Sequence, residues 1–315
     1  MSRFLTYLHF TLLGALISAS PSQALDYKFH APANADHFAP SRPLIVALHG
    51  CKQDAELFAK ITRLNEQADR AGMAVLYPEQ SIFKNIDHCW NWFLPFNQQR
   101  DYGEPSEIVA LVRQIAQRYP IDRSRIYVMG ISSGGAMANI LASCYPDIFS
   151  AVAIHSGLEY QASTSMFTAN EVLRSGGEID GRTSGQLAFQ CADGHHRRIL
   201  PAITLHGTED TRVYPIASDL IATQFSVLND LIDDGIENES FPHAATHHRL
   251  VTPDQPAGYA YRIDDTLYQT KLALRQVTIR GLAHAWSGGV SGFANSDPLG
   301  PDATAMIVNF FDTIK

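Results

Sequence analysis

A serine between two glycines is the first feature of the chain that suggests chemistry. Ser132 lies in the sequence Gly130-Ile131-Ser132-Ser133-Gly134, which has the pattern G-x-S-x-G. A tight turn from a strand into a helix needs small flanking residues and lifts the serine hydroxyl clear of the backbone. It also leaves the N–H of Ser133 at a helix N-terminus, where it can stabilise an oxyanion. The motif predicts Ser132 as a nucleophile and Ser133 as an oxyanion donor, and a glycine-rich helix start is the alternative.

Two later turns carry an acid and a histidine. Glu209 and Asp210 follow a predicted strand that ends at His206, and His284 lies among small residues after the last predicted strand. A serine hydroxyl becomes a good nucleophile only when a base takes its proton, and an acid orients that base. The chain order serine, acid, histidine is the one that α/β-hydrolases use. The order therefore predicts Ser132, His284 and one of the two acids as a catalytic triad.

A turn of histidine, glycine and cysteine ends the first predicted strand of the core, at residues 49–51. In α/β-hydrolases the loop at this place supplies a second N–H to the oxyanion hole, so the backbone N–H of Cys51 is the expected donor. Loss of one such donor costs about 3–4 kcal/mol of transition-state stabilisation. Other histidines are expected to pack near strand ends (His155 and His206) or to lie at the surface without binding metal: His195, His196, His243, His247 and His248.

Strands that alternate with helices position these turns. The alternation predicts βαβ units and therefore an α/β fold with a mostly parallel sheet flanked by helices. Residues 159–198 and 233–256 interrupt the alternation, and long insertions in a compact α/β domain are usually lids or binding loops. We expect the first of them to be a lid insertion. The predicted strands cover residues 43–48, 73–77, 125–129, 151–155, 202–206 and 276–279, and the predicted helices cover residues 57–71, 107–118, 133–143 and 303–313.

The first 24 residues have the three-part layout of a secretory signal peptide. Arg3 precedes an apolar run at residues 12–17, and small residues follow up to Ala24. The run is too short and too interrupted to span a bilayer well. We expect cleavage after Ala24, with Ala19 as the second choice, and export to the periplasm or the medium; a buried N-terminal helix is the alternative. Residues 25–315 are predicted to form one catalytic domain.

Composition excludes several classes of protein. The 315 residues are 45% hydrophobic and 18% charged, which is enough for one large core and unlike a disordered chain or a coiled coil. The 24 basic and 32 acidic residues give a net charge of −8. Because no cluster of Lys and Arg offsets this charge, neither a nucleic acid nor an anionic membrane is an expected partner.

The predicted export affects the interpretation of the four cysteines. An even number of cysteines in an exported chain favours disulfides, and four cysteines allow three pairings. We favour Cys51–Cys89 and Cys144–Cys191, and buried thiols are the alternative. No C-x-x-C spacing suggests zinc.

These motifs together resemble the esterase family that includes poly(3-hydroxybutyrate) depolymerases. The H-G-C turn and the H-A-W-S-G-G segment are more specific to that family than G-x-S-x-G. The resemblance covers the chain from about residue 43 to its end, at residues 46–51, 103–105, 127–137, 145–147, 155–157, 206–207 with Asp210, 283–289 and 297–303.

The resemblance implies an α/β-hydrolase fold and a triad that needs no cofactor. In the family the acid lies four residues past the histidine of H-G, which selects Asp210 over Glu209. Ser132 is then the nucleophile and His284 the base, while the oxyanion lies on the N–H groups of Cys51 and Ser133. Three tryptophans are candidates for substrate contact, and core packing is the alternative for the first two: Trp90, Trp92 and Trp286.

The resemblance also implies the reaction, which is ester hydrolysis through an acyl-enzyme. Depolymerases that resemble this chain and act on solid polymer commonly carry a linker and a polymer-binding domain. We expect neither here, and we therefore expect hydroxyalkanoate oligomers, amorphous polymer or related esters as substrates. Because the family also includes feruloyl and acetylxylan esterases, those activities are the first alternative. A non-catalytic binding protein on the same scaffold is the alternative from another class. No obligate protein partner is implied.

Overall fold

A nine-stranded sheet forms the centre of the described chain. The structure is a computed structural model that describes residues 25–32, 41–196, 198–253 and 256–314, and the predicted signal peptide lies outside them. The strands are β1 (Tyr27–His30), β2 (Arg42–Leu48), β3 (Ala74–Pro78), β4 (Ile121–Ile131), β5 (Ala151–His155), β6 (Ala202–Gly207), β7 (His247–Val251), β8 (Tyr261–Tyr268) and β9 (Lys271–Ile279), and a separate short pair consists of β10 (Trp286–Ser287) and β11 (Ser296–Asp297).

Helices cover both faces of the sheet. They are α1 (Ala55–Thr62), α2 (Leu64–Ala71), α3 (Gly103–Arg118), α4 (Ser133–Cys144), α5 (Ala169–Ser175), α6 (Gly181–Cys191), α7 (Ile216–Asp234) and α8 (Ala303–Thr313), and a short 3₁₀ helix spans Pro95–Gln98. No helix within the described ranges is both long and apolar enough to cross a membrane.

The strand order is β1-β3-β2-β4-β5-β6-β9-β8-β7. Pairing is parallel from β3 through β9, and β1, β8 and β7 add antiparallel strands at the two edges. This arrangement confirms the predicted α/β class. The carboxyl ends of the parallel strands share one edge of the sheet, so the turns that follow β2, β4, β6 and β9 lie at the same edge.

The sequence of strand β2 is a continuous apolar run because both faces of the strand are buried. Successive side chains of a strand point to opposite faces. Leu44 and Val46 join the core beneath α3, α4 and α7, whereas Ile45 and Ala47 join the core beneath α1, α2 and α8. Because helices cover both faces, a polar residue on either face would be buried without a partner.

Two local features differ from the predicted elements. The single helix predicted over residues 57–71 is two helices, because Arg63 has a left-handed backbone (φ 51°) between α1 and α2. The predicted insertion at residues 159–198 contains the two helices α5 and α6, and the stretch at residues 233–256 contains the edge strand β7.

Two disulfides cross-link segments that are distant in the sequence. Cys51, in the turn after β2, pairs with Cys89, and Cys144 at the end of α4 pairs with Cys191 at the end of α6. Of the three pairings that four cysteines allow, the structure has the one that the sequence analysis favours. The second bridge ties the insertion to the helix that follows Ser132.

Glu159 is a buried carboxyl at the base of the insertion. Its side chain is 3% exposed, and among the described residues neither carboxyl oxygen has a well-formed hydrogen bond. Burial raises the pKa of Glu159 to about 7, and the backbone N–H groups of Glu159 and Gly177 oppose this effect only in part. The carboxyl is therefore more easily protonated in the folded protein than in the unfolded chain.

This difference predicts a pH-dependent stability. Between pH 4.5, the ordinary pKa, and pH 7 the folded state binds more protons than the unfolded state, so stability falls as pH rises. We expect the gain in unfolding free energy from Glu159→Gln to be larger at pH 8 than at pH 5, by about 3 kcal/mol. Urea unfolding of wild type and variant at both pH values measures it. The exposed Glu66→Gln is the control, and an equal gain at both pH values would contradict the prediction.

Candidate active site

Ser132 occupies a strained turn between β4 and α4. Its backbone has φ 57° and ψ −122°, in the left-handed half of conformational space that side chains disfavour. A Cβ on Gly130 would lie 2.2 Å from the carbonyl oxygen of Gly134, and a Cβ on Gly134 would lie 2.3 Å from that of Leu48. Both glycines of the motif are therefore required by the close approach of helix and strands.

Asp210 and His284 form a hydrogen-bonded pair in two neighbouring turns. The Oδ1 of Asp210 accepts the N–H groups of Arg212 and Val213 at 3.0 and 2.9 Å. Its Oδ2 accepts the Nδ1–H of His284 at 2.8 Å. With Nδ1 as the donor, Nε2 of His284 carries the lone pair that a general base needs. Glu209 is exposed, so the structure brings Asp210 and not Glu209 to the histidine.

The electrostatic surroundings keep Asp210 ionised. Burial by itself would raise the pKa of its carboxyl, but hydrogen bonds with the side chains of His206 and His284 outweigh burial and hold this pKa well below its ordinary range. The Nε2 of His206 also donates to the carbonyl of Val213 at 2.8 Å. His206 thus fixes the turn that holds the carboxylate.

His49 holds the turn in which Cys51 lies. Its Nδ1–H donates to the carbonyl of Gly50 at 2.9 Å, and its Nε2 accepts the N–H of Gln80 at 3.1 Å. Burial lowers the pKa of His49 to about 4, so the ring is neutral, as one donor and one acceptor require. The Oγ of Ser133 lies 3.4 Å from the Sγ of Cys51. The two residues predicted as oxyanion donors are therefore neighbours.

Glu104 is a supporting residue to which the sequence analysis assigned no role. Its carboxylate is 5% exposed and accepts Nε2–H of Gln80 at 2.6 Å and the backbone N–H of Asn91 at 2.8 Å. Gln80 in turn donates its backbone N–H to His49. A buried carboxylate thus anchors the loop that the Cys51–Cys89 bridge attaches to the turn. The G-E-P motif at residues 103–105 was the available signal.

The three tryptophans predicted to contact substrate do not line the cavity beside Ser132. Trp90 is fully buried and donates its Nε1–H to the carbonyl of His49 at 3.1 Å, and Trp92 is 7% exposed. Trp286 is fully buried and stacks on the ring of His155 at 5.0 Å. The three indoles belong to the core, which is the alternative that the sequence analysis left open for Trp90 and Trp92.

A cavity of about 870 Å³ opens beside Ser132 and His284. Helix α5 and the segment before it, both in the predicted insertion, form one wall. The N–H of Tyr214 donates to the carbonyl of Leu173 at 2.8 Å, which joins that wall to the turn of Asp210. The other lining residues are Gly50, Cys51, Gln53, Ile131, Phe167, Asn170, Glu171, Arg174, Ser175, Thr211, Arg212, Val213 and Asn295.

The arrangement of the potential metal ligands also bears on the chemistry of the site. In the part of the chain that the structure describes, no group of three or more His, Cys, Asp or Glu side chains is arranged to hold a metal ion.

Comparison with known proteins decides the family. Residues 25–240 match the family model described as esterase PHB depolymerase. The chain belongs to this family. The resemblance that the motifs indicate is thereby confirmed, and the relatives of the chain are carboxylic ester hydrolases.

Three relatives of this family member show the range of the group. Poly(3-hydroxyalkanoate) depolymerase C of Paucimonas lemoignei is 33% identical over 196 residues, which are 62% of this chain and 45% of that protein. Feruloyl esterase B of Neurospora crassa is 34% identical over 186 residues, 57% of this chain and 63% of that protein. Feruloyl esterase B of Thermothelomyces thermophilus is 30% identical over 234 residues, 70% of this chain and 79% of that protein. The chain thus spans less than two thirds of the first two.

A solved structure supports the fold. Acetyl xylan esterase from Aspergillus awamori superposes with a TM-score of 0.69 at 19% identity, over 91% of this chain and 93% of that one. This likeness confirms the α/β-hydrolase architecture.

The two neighbouring acids allow a matched test of the hydrogen bond to His284. We expect Asp210→Asn to lower kcat for p-nitrophenyl butyrate by roughly 10³–10⁴-fold, because the amide favours the wrong tautomer of the histidine. Glu209→Gln makes the same change of charge one residue away and should leave kcat within about twofold, since exposed substitutions have small effects. Similar losses in both variants would show that Asp210 does not orient His284.

Proposed function

We propose that the protein is a serine esterase that hydrolyses carboxylic esters through an acyl-enzyme. Ser132 is the nucleophile, His284 the general base and Asp210 the acid that orients it. The observation that carries this proposal is the 2.8 Å hydrogen bond between Asp210 and Nδ1 of His284, at the edge of a cavity that Ser132 and His284 both line.

The proposed reaction has two halves. Nε2 of His284 takes the proton of Ser132 as the serine oxygen attacks the ester carbonyl, and the N–H groups of Cys51 and Ser133 stabilise the oxyanion. The imidazolium then protonates the leaving alcohol, and an acyl group remains on Ser132. Water repeats the sequence on the acyl-enzyme and releases the acid. Asp210 stays ionised throughout and stabilises the imidazolium, and the reaction needs no cofactor.

The proposed substrates are hydroxyalkanoate oligomers, amorphous polyester or related esters. Membership of the depolymerase family and the likeness to depolymerase C support this choice. The proposed organisation is one catalytic domain over residues 25–315, with residues 159–198 as a lid insertion that shapes the substrate site. The position of α5 in the cavity wall supports that role.

The proposed location is outside the cytoplasm, in the periplasm or the medium. The two disulfides support an oxidising compartment, since such bridges persist where thiols are not kept reduced. Residues 1–24 are proposed as the cleaved export signal.

Feruloyl or acetylxylan esterase activity is the second candidate. Three relatives carry the name feruloyl esterase B, and others carry the name acetylxylan esterase. A panel of 3-hydroxybutyrate oligomers, methyl ferulate and acetylated xylo-oligosaccharides separates the candidates. We expect the highest kcat/KM on the hydroxybutyrate oligomers, and a higher kcat/KM on ferulate or acetylxylan would favour the second candidate.

Removal of the serine hydroxyl tests the catalytic proposal. We expect Ser132→Ala to lower turnover of p-nitrophenyl butyrate by at least roughly 10⁴-fold and to abolish labelling by a fluorophosphonate probe. Ser124→Ala, at the other end of β4, is the control and should behave as wild type. Retained turnover in Ser132→Ala would overturn the assignment of Ser132 as the nucleophile. Wild type that the probe does not label would instead favour a binding protein on the same scaffold.

A further inference from the structure

Two arginines line the cavity beside the proposed triad. Arg174 lies in α5 of the insertion and Arg212 lies two residues after Asp210, and both side chains are exposed. Among the described lining residues they are the only lysines or arginines. The chain as a whole carries a net charge of −8. The two positive charges in the lining of this cavity are therefore opposite in sign to the charge of the whole chain.

The backbone brings the two arginines into one wall. Leu173, next to Arg174, accepts the N–H of Tyr214 at 2.8 Å. Arg212 lies two residues before Tyr214, and its own N–H donates to Asp210 at 3.0 Å. The two segments are therefore joined to each other and to the carboxylate that holds His284. A ligand held by both guanidinium groups would lie against the same turn as the triad.

The two guanidinium groups have no acidic partner among the described residues. Neither Arg174 nor Arg212 forms an ion pair within 4 Å with any described acid, whereas Arg100 is paired with Asp147 at 2.8 Å. One acid, Glu171, also lines the cavity, so the lining carries two positive charges and one negative charge. Asp210 adds a negative charge behind the wall but is not a lining residue, because its carboxylate oxygens accept hydrogen bonds from His284 and from the N–H groups of Arg212 and Val213.

The remaining wall gives the chemistry of a matching ligand. Ile131, Leu173 and Val213 are apolar lining residues, which suit an aliphatic body. A guanidinium group binds a carboxylate through two parallel hydrogen bonds, and the opposite charges of the two groups strengthen these bonds. A ligand with an aliphatic body, an ester and a terminal carboxylate satisfies all of these groups together.

We propose that Arg174 and Arg212 bind a carboxylate of the substrate and make the protein selective for esters that end in a free carboxylate. A hydroxyalkanoate oligomer with a free acid end has this chemistry. Hydrolysis adds water across one ester bond and releases a shorter oligomer and a hydroxy acid. The inference rests on the proposed function, because carboxylate binding is useful here only if an ester is cleaved at Ser132.

A pair of substrates that differ only in charge tests the inference. The 3-hydroxybutyrate trimer is compared as the free acid and as its primary amide, which is uncharged and adds no ester bond. We expect wild type to have the lower KM for the free acid. We also expect 0.5 M NaCl to reduce this preference, because salt screens exposed charges.

Variants identify the residues responsible. In Arg174→Gln and in Arg212→Gln we expect the ratio of KM for the free acid to KM for the primary amide to rise roughly tenfold, which is the effect of one charged hydrogen bond. Glu171→Gln should lower this ratio, because it removes the opposing charge. Arg123→Gln is the control and should keep the wild-type ratio, since Arg123 lies near the far end of β4, roughly 30 Å from Ser132 at ~3.3 Å per residue.

Different outcomes separate the two proposals. Failure of wild type to hydrolyse p-nitrophenyl butyrate would overturn the proposed function and the inference with it. Turnover of p-nitrophenyl butyrate with equal KM values for the two trimers, or with unchanged ratios in both arginine variants, would overturn the inference alone. A second pair, feruloylated xylo-oligosaccharide with and without a glucuronate, tests another source of carboxylate, and a response confined to this pair would overturn the assignment to hydroxyalkanoates.

Discussion

The close approach of helix α4 to the end of strand β2 is the constraint on which the candidate active site depends. A Cβ on Gly134 would overlap the carbonyl oxygens of Leu48 and His49, so the helix can begin where it does only with glycine there. This approach places Ser132 in its strained conformation and the N–H of Ser133 beside the turn of Cys51. Strain of this kind costs about 1–3 kcal/mol and persists only where the surroundings enforce it. Every residue of α4 is buried, and this packing holds Ser132 in the strained conformation.

Neutral histidines beneath the turns supply the rest of the positioning. His49 holds the turn of Cys51, and His155 accepts the N–H of Ser287, three residues after His284, at 3.3 Å. Burial lowers the pKa of His155 to about 3 and that of His49 to about 4. Each ring therefore offers one donor and one acceptor across the whole physiological range. A charged side chain at these places would need a counter-ion beneath the sheet edge, and it would disturb the carboxylate of Asp210.

The elements that the sequence predicts correctly are those whose local sequence is compatible with only one structure. Strands β2, β4 and β5 are covered on both faces and read as apolar runs, and the turn at Ser132 is marked by its required glycines. Strand β8 was not predicted, because it lies near the sheet edge and carries charged residues. Arg262 pairs with Asp264 of the same strand, and Asp265 pairs with Arg275 of β9. The orientation of Trp286 could not be predicted either, since proximity in sequence to His284 does not say which side of the turn an indole occupies.

One backbone hydrogen bond connects the turn of the proposed triad to the wall of the cavity. The bond from Tyr214 to Leu173 joins the insertion to the segment that also holds Asp210, so the wall of the cavity has a fixed position relative to the triad. The side chains of the wall nevertheless face the cavity and not the carboxylate. Their identities can therefore change while the hydrogen bonds around Asp210 remain. This separation fits a family whose members carry the names of depolymerases, feruloyl esterases and acetylxylan esterases, because the side chains that α5 contributes to the cavity can vary without any change in the turn of Ser132.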